Sequence, residues 1–132
     1  MNKVLLLVGG LYNLGFVLFH LSFWKIFRWH EELRLISPVN RGIMQVLNIR
    51  LSYVFVVFAY VSIFHWEELI STPLGITILI SISLFWFMRA IEQIKFFSLK
   101  DNRSAAIFIV FVIGCVLYLI PLLNVLIKTA DL

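Results

Sequence analysis

The chain has 132 residues, 62% of them hydrophobic, 16% aromatic and only 14% charged, with a mean hydropathy of +1.02 and a net charge of +4. Ordinary soluble chains are about 45–50% apolar, so this composition excludes a small water-soluble globule and makes lipid the solvent. The basic surplus does not point to nucleic acid, because the charges flank apolar runs where anionic headgroups lie, and the single Cys115 excludes a disulfide framework and a Cys-based metal site.

Crossing a bilayer's hydrocarbon core takes about 20 residues of helix. The first run that suffices is residues 4–24, from Val4 to Trp24. Lys3 before it imitates a signal peptide, but the run lacks a small-residue cleavage pattern and outlasts a signal's apolar core, so it is read as a retained span. Next comes "KIFRWHEELRLIS", where Ile26, Trp29, Leu33 and Ile36 share a helical face and Arg28 and Glu32 pair at i,i+4. This predicts a short interfacial helix on the membrane surface, ended by Pro38.

Residues 43–65 form the second span, tolerating Gln45, Asn48 and Arg50 near its start. The third covers residues 73–95, with Thr72 as N-cap and Pro73 at the first helical position. The fourth covers residues 105–127, capped by Ser104 and containing Pro121, which is expected to kink it. None of these runs shows the alternation of barrel strands, and backbone polar groups in lipid must be satisfied internally. The fold class is therefore all-α: one four-helix transmembrane bundle over residues 1–132, with short loops.

Lys and Arg set the expected orientation. Nine lie in or beside the first and third connections, against Lys3 and Lys128 on the opposite side, where "HWEEL" is acidic. Both termini are therefore predicted outside the cytoplasm, most simply in a bacterial inner membrane.

Depth then gathers polar residues from three spans into one layer near the basic end: His20, Asn48, Arg89, Glu92 and Gln93. Gln45, Asn48, Ser52, Phe55, Ala59 and Ser62 follow the 3-4 spacing of a helix-packing seam on the second span, and Ser81, Phe85, Met88 and Glu92 do so on the third. Arg89 and Lys95 can snorkel to headgroups, whereas Glu92 has a short anionic stem and is expected to pair with Arg89 or His20 inside the bundle. His65 belongs to the far end of the second span, so a haem held between it and His20 is excluded by depth, and no cofactor or metal is expected.

There is no Gly-rich phosphate loop, Ser-His-Asp set or zinc motif. "RGIMQVLNIRL" departs from the Arg-x-x-Asn-x-x-Glu pattern of the microsomal glutathione-transferase-like family, with Leu51 at the Glu position, and "HWEELISTPLG…SLFW" matches the sterol-scaffold family only in generic residues. Three functions remain in order of preference. The first is a non-enzymatic accessory, assembly or scaffold subunit of a membrane complex. The second is a small oligomeric transporter or channel using His20 and Glu92 for protons or cations. The third is an intramembrane enzyme acting on a lipid or quinone. The expected partners are the lipid bilayer and either further copies or other subunits.

Overall fold

The computed structural model describes residues 1–130, so Asp131 and Leu132, the last two of the predicted domain, lie outside it. Its architecture is all-helical, with no strand among the described residues. Helix α1 (Asn2–Leu21) leads through two single turns, α2 (Phe23–Ile26) and α3 (Trp29–Glu32), and a 3-10 turn (Leu33–Leu35) into α4 (Pro38–Phe64). A short α5 (Trp66–Ser71) precedes α6 (Pro73–Phe96), and α7 (Asn102–Ala130) closes the bundle. The helices α1, α4, α6 and α7 are each long and apolar enough to cross a membrane. Their outward faces carry Leu, Ile, Val and Phe with no apolar cover, as lipid contact requires.

The four long helices alternate in direction. One end, here the basic end, carries the connections at residues 22–37 and 97–101; the other carries α5 and both chain ends. Asn2 and Asn124 meet there, with Asn124 Nδ2 donating to Asn2 Oδ1 at 2.7 Å.

Backbones approach most closely in the pairs α1/α4 and α6/α7, with α1 also against α7, while α4 and α6 stand apart. The helix shared between these pairs is α1, and α4 turns its seam towards it. Gly10 explains the tightness of that contact, because a Cβ there would lie 2.5 Å from the Ile63 side chain and 3.3 Å from the Ala59 carbonyl. Aromatic rings fill the wider space between α4 and α6. Trp86 and Phe55 stack with centroids 5.4 Å apart, and Phe85 meets Phe55 and Phe58 edge-on at 5.7 and 5.3 Å.

Local rules place the helix starts. Thr72 caps α6 as predicted, accepting from the Gly75 N–H at 2.9 Å with Pro73 in the first turn. Gly75 is required for a second reason: a Cβ would stand 1.8 Å from the Glu68 carbonyl oxygen of α5. Helix α4 begins at Pro38, earlier than expected, because Ser37 accepts from the Asn40 N–H at 3.3 Å. Helix α7 also begins early. Asp101 accepts from the Ser104 N–H at 3.3 Å, so the capping role assigned to Ser104 belongs to Asp101. Pro121 lies buried inside α7, and the helix continues through it to Ala130.

The predicted interfacial helix is broken in two. Arg28 adopts the left-handed conformation (φ 50°), which costs a non-glycine residue about 1–2 kcal/mol. The break turns Trp29 and Leu33 onto the bundle, where both are buried, and leaves Ile26 exposed. Arg41 Nε holds the turn by donating to the Leu33 carbonyl at 2.7 Å. Arg28 accordingly pairs with Glu31 rather than Glu32.

Candidate functional site

Two polar centres lie inside the bundle at different depths. The first, midway along α1, is a chain of hydrogen bonds across three helices. Asn13 Nδ2 donates to the Tyr118 hydroxyl at 2.7 Å and to the Gly9 carbonyl at 2.8 Å. Ser62 donates to the Phe58 carbonyl at 2.6 Å, so the 2.8 Å bond between Tyr118 and Ser62 has Tyr118 as donor. Asn13, Ser62 and Tyr118 are all fully buried, and the chain ties α1, α7 and α4 together. Of these residues, the packing seam expected from the sequence includes Ser62 alone. The available signal was a tyrosine on the α7 face shared with Gly114, whose hydroxyl needs a partner at that depth.

The second centre holds the residues singled out in the sequence. Asn48 Nδ2 donates to the backbone carbonyl of His20 at 3.0 Å, and Asn48 Oδ1 lies 2.8 Å from His20 Nδ1. A carbonyl can only accept, so the amide orientation is fixed. Oδ1 must then receive a proton from Nδ1, so the neutral tautomer of His20 carries its lone pair on Nε2. The imidazole also stacks on Phe23, with centroids 4.4 Å apart.

Arg89 is half-buried on α6. Its guanidinium lies 4.3 Å from the centre of the Phe111 ring and donates to Gln93 Oε1 at 3.3 Å. Gln93 is buried, and its Nε2 donates to the Ser104 hydroxyl of α7 at 2.9 Å. His20 and Asn48 are thus joined directly, as are Arg89, Gln93 and Ser104, and the two groups border one cavity.

Glu92 is not part of it. The carboxylate is exposed on the outer face of α6, with no hydrogen bond or ion pair among the described residues. The expected pairing with His20 or Arg89 is therefore corrected. Successive helical residues point about 100° apart, so burying Trp86, Ala90 and Gln93 turns Glu92 outward. An amide is also cheaper to dehydrate than a carboxylate. Ser81 and Met88 share the outward stripe, and Ser81 satisfies its hydroxyl on the Thr77 carbonyl at 2.8 Å. The α6 packing face is instead Gly75, Leu79, Ile82, Ser83, Trp86, Ala90 and Gln93. On α4, Asn48, Ser52, Phe55, Ala59 and Ser62 are all buried, while Gln45 is half-buried and bonds back to the Arg41 carbonyl at 3.3 Å.

The cavity measures about 200 Å³ and lies near the basic end. His20 and Arg89 are its polar walls; most of the rest is aromatic, from Phe16, Phe55, Trp86 and Phe111 among others. Trp86 is fully buried, and its Nε1–H has no acceptor. A neighbouring pocket of about 230 Å³ continues on the other side of His20, beside Trp29 and Met44. No group of three or more His, Cys, Asp or Glu side chains gathers to hold a metal ion among the described residues. Comparison with protein families, with curated proteins and with solved structures finds no match.

Proposed function

We propose that this chain is a non-enzymatic accessory, assembly or scaffold subunit of a larger membrane complex, placed in a bacterial cytoplasmic membrane with both termini outside the cytoplasm. The observation that carries this reading is Glu92. It stands one turn before the end of α6, exposed, near Arg89 but in no ion pair or hydrogen bond among the described residues. An acidic side chain facing hydrocarbon costs up to about 3 kcal/mol at mid-membrane and less towards the surface, and a carboxylate cannot snorkel as Lys does. A cationic or hydrogen-bonding group on a neighbouring subunit relieves that cost. Ser81 and Met88 extend the same outward stripe at the 3-4 spacing of a helix–helix contact.

The transport reading loses support from the same geometry, since its proton-handling pair required Glu92 beside His20. The bundle's buried amides and hydroxyls instead cross-link its own helices, which suits a rigid structural part.

Extraction of native membranes in a mild detergent, followed by native electrophoresis and mass spectrometry of the band, tests the proposal. The expected result is a band well above the 15.4 kDa chain, containing stoichiometric partner proteins and shifted downward by Glu92→Leu. Migration as a lone chain, unchanged by that substitution, would overturn it.

A further inference from the structure

We infer that the aromatic cavity between α1, α4, α6 and α7 binds the head group of a lipid-soluble quinone or quinol. This assignment is independent of membership in a complex.

Two polar side chains, Arg89 and His20, border this one space, and the fully buried Trp86 packs behind it. Arg89 has no carboxylate partner among the described residues, only the long bond to Gln93 and the face of Phe111. Trp86 carries a buried N–H without an acceptor. His20 has Nε2 free of any partner among the described residues, and with Nδ1 donating to Asn48 that nitrogen is the acceptor of the neutral ring. A guanidinium with spare donors and an imidazole nitrogen with a spare lone pair on one apolar space together suit a ligand that can both accept and donate. Such a ligand must offer an oxygen that accepts from a guanidinium N–H. In its protonated form it must offer a hydroxyl to an imidazole nitrogen. A quinone carbonyl meets the first condition and a quinol hydroxyl the second.

The walls select the same class. Phe16, Phe19, Phe23, Phe55, Phe85 and Phe111 surround the space, and ring faces and edges of this kind suit a conjugated ring. An apolar cavity of about 150 Å³ accommodates benzene, so about 200 Å³ accommodates a substituted six-membered ring. A phosphate head group fits poorly, because a single guanidinium would have to neutralise two charges inside a wall of Phe and Trp. Phe85 closes on Phe55 and Phe58 in the middle of the bundle, so an isoprenoid or alkyl tail leaves on the basic-end side of that contact, where Leu51 of α4 and Arg89 of α6 line the cavity.

The test uses the full chain in phosphatidylcholine nanodiscs, titrated with a decyl-substituted dimethoxybenzoquinone while tryptophan emission is followed. The control titrants are decanoic acid and decyl phosphate, and empty nanodiscs give the partition background. The expected result is saturable quenching by the quinone, weakened at least tenfold by Arg89→Met and by His20→Phe. Glu92→Gln, outside the cavity, should leave the quinone affinity unchanged. Leu51→Trp narrows the space while keeping both polar groups, so it should abolish saturation even if either polar variant fails to fold. Quenching by the wild-type chain with no saturable component would overturn the assignment. So would abolition of the quinone's saturable quenching by an equimolar amount of decanoic acid or decyl phosphate, which would mark an acidic-lipid site instead.

Discussion

Glu92 and Gln93 are neighbours in the chain with opposite surroundings, and their difference is measurable. Gln93 is 2% exposed and donates to Ser104, whereas Glu92 faces outward. Gln93→Leu should therefore cost about 1–2 kcal/mol by removing a buried hydrogen bond and stranding its partner. Glu92→Gln should change the stability of the isolated chain by less than about 0.5 kcal/mol, as is usual at exposed positions. Denaturant titration in mixed micelles reads both; a larger loss at Glu92 would mean that its carboxylate is held inside the bundle after all. His20 and Asn48 invite a double-mutant cycle. Interhelical hydrogen bonds in membranes average about 0.6 kcal/mol and reach about 1.7, so their two bonds should give a coupling near 1 kcal/mol. Strict additivity of His20→Phe and Asn48→Leu would deny the clamp, and with it the assignment of the Nε2 lone pair.

At the scale of the helix, the α1/α4 contact makes the sharpest contrast. Ala59 is 2% exposed, with its carbonyl against Gly10, while Val57 is 38% exposed on the outer side of the same helix. Ala59→Trp should cost more than about 3 kcal/mol or prevent folding, since overpacking a tight contact forces backbones apart. Val57→Trp should be accepted. Melting both variants in the same detergent decides the matter, and equal losses would remove the seam. This seam was legible in the sequence because small and hydrogen-bonding residues recur along α4 at one phase. The phase of α6 was not, because in lipid both the buried and the exposed faces of a helix are apolar and the contrast that marks an amphipathic helix in water disappears. Ser81, Phe85 and Met88 fit the 3-4 spacing as well as Leu79, Ile82 and Trp86 do. What settles α6 is bulk and pairing from elsewhere: Trp86 filling the space beside Phe55, and Ser104 receiving Gln93. The residues bordering the aromatic cavity were partly visible through His20 and Arg89, but its aromatic walls were indistinguishable from ordinary packing. The left-handed turn at Arg28 was hidden for a similar reason, since it is imposed by docking Trp29 and Leu33 rather than by any local signal.

For the whole molecule, orientation turns on how charge is divided between the two ends of the bundle. Alternating helix directions put residues 22–37 and 97–101 at one end and α5 with both chain ends at the other. Arg28, Arg34, Arg41, Lys100 and Arg103 cluster at the first end; Lys3, at the other, lies over the Trp66 ring at 4.9 Å, beside the acidic α5. Short loops rich in Lys and Arg are retained in the cytoplasm, while acidic residues contribute little to the choice. A reporter active only outside the cytoplasm should therefore work when fused at the C-terminus and fail when inserted after Lys100. A reporter active only in the cytoplasm should do the reverse. Replacing Arg28, Arg34 and Arg41 with Gln while adding three Lys residues before Val4 should weaken or invert the pattern, because the bias would then favour the opposite end. If the wild-type chain already shows the inverted pattern, the basic end faces outward. The cavity beside His20 and Arg89 would then open near the outer leaflet, and a partner meeting Glu92 would have to do so from that side.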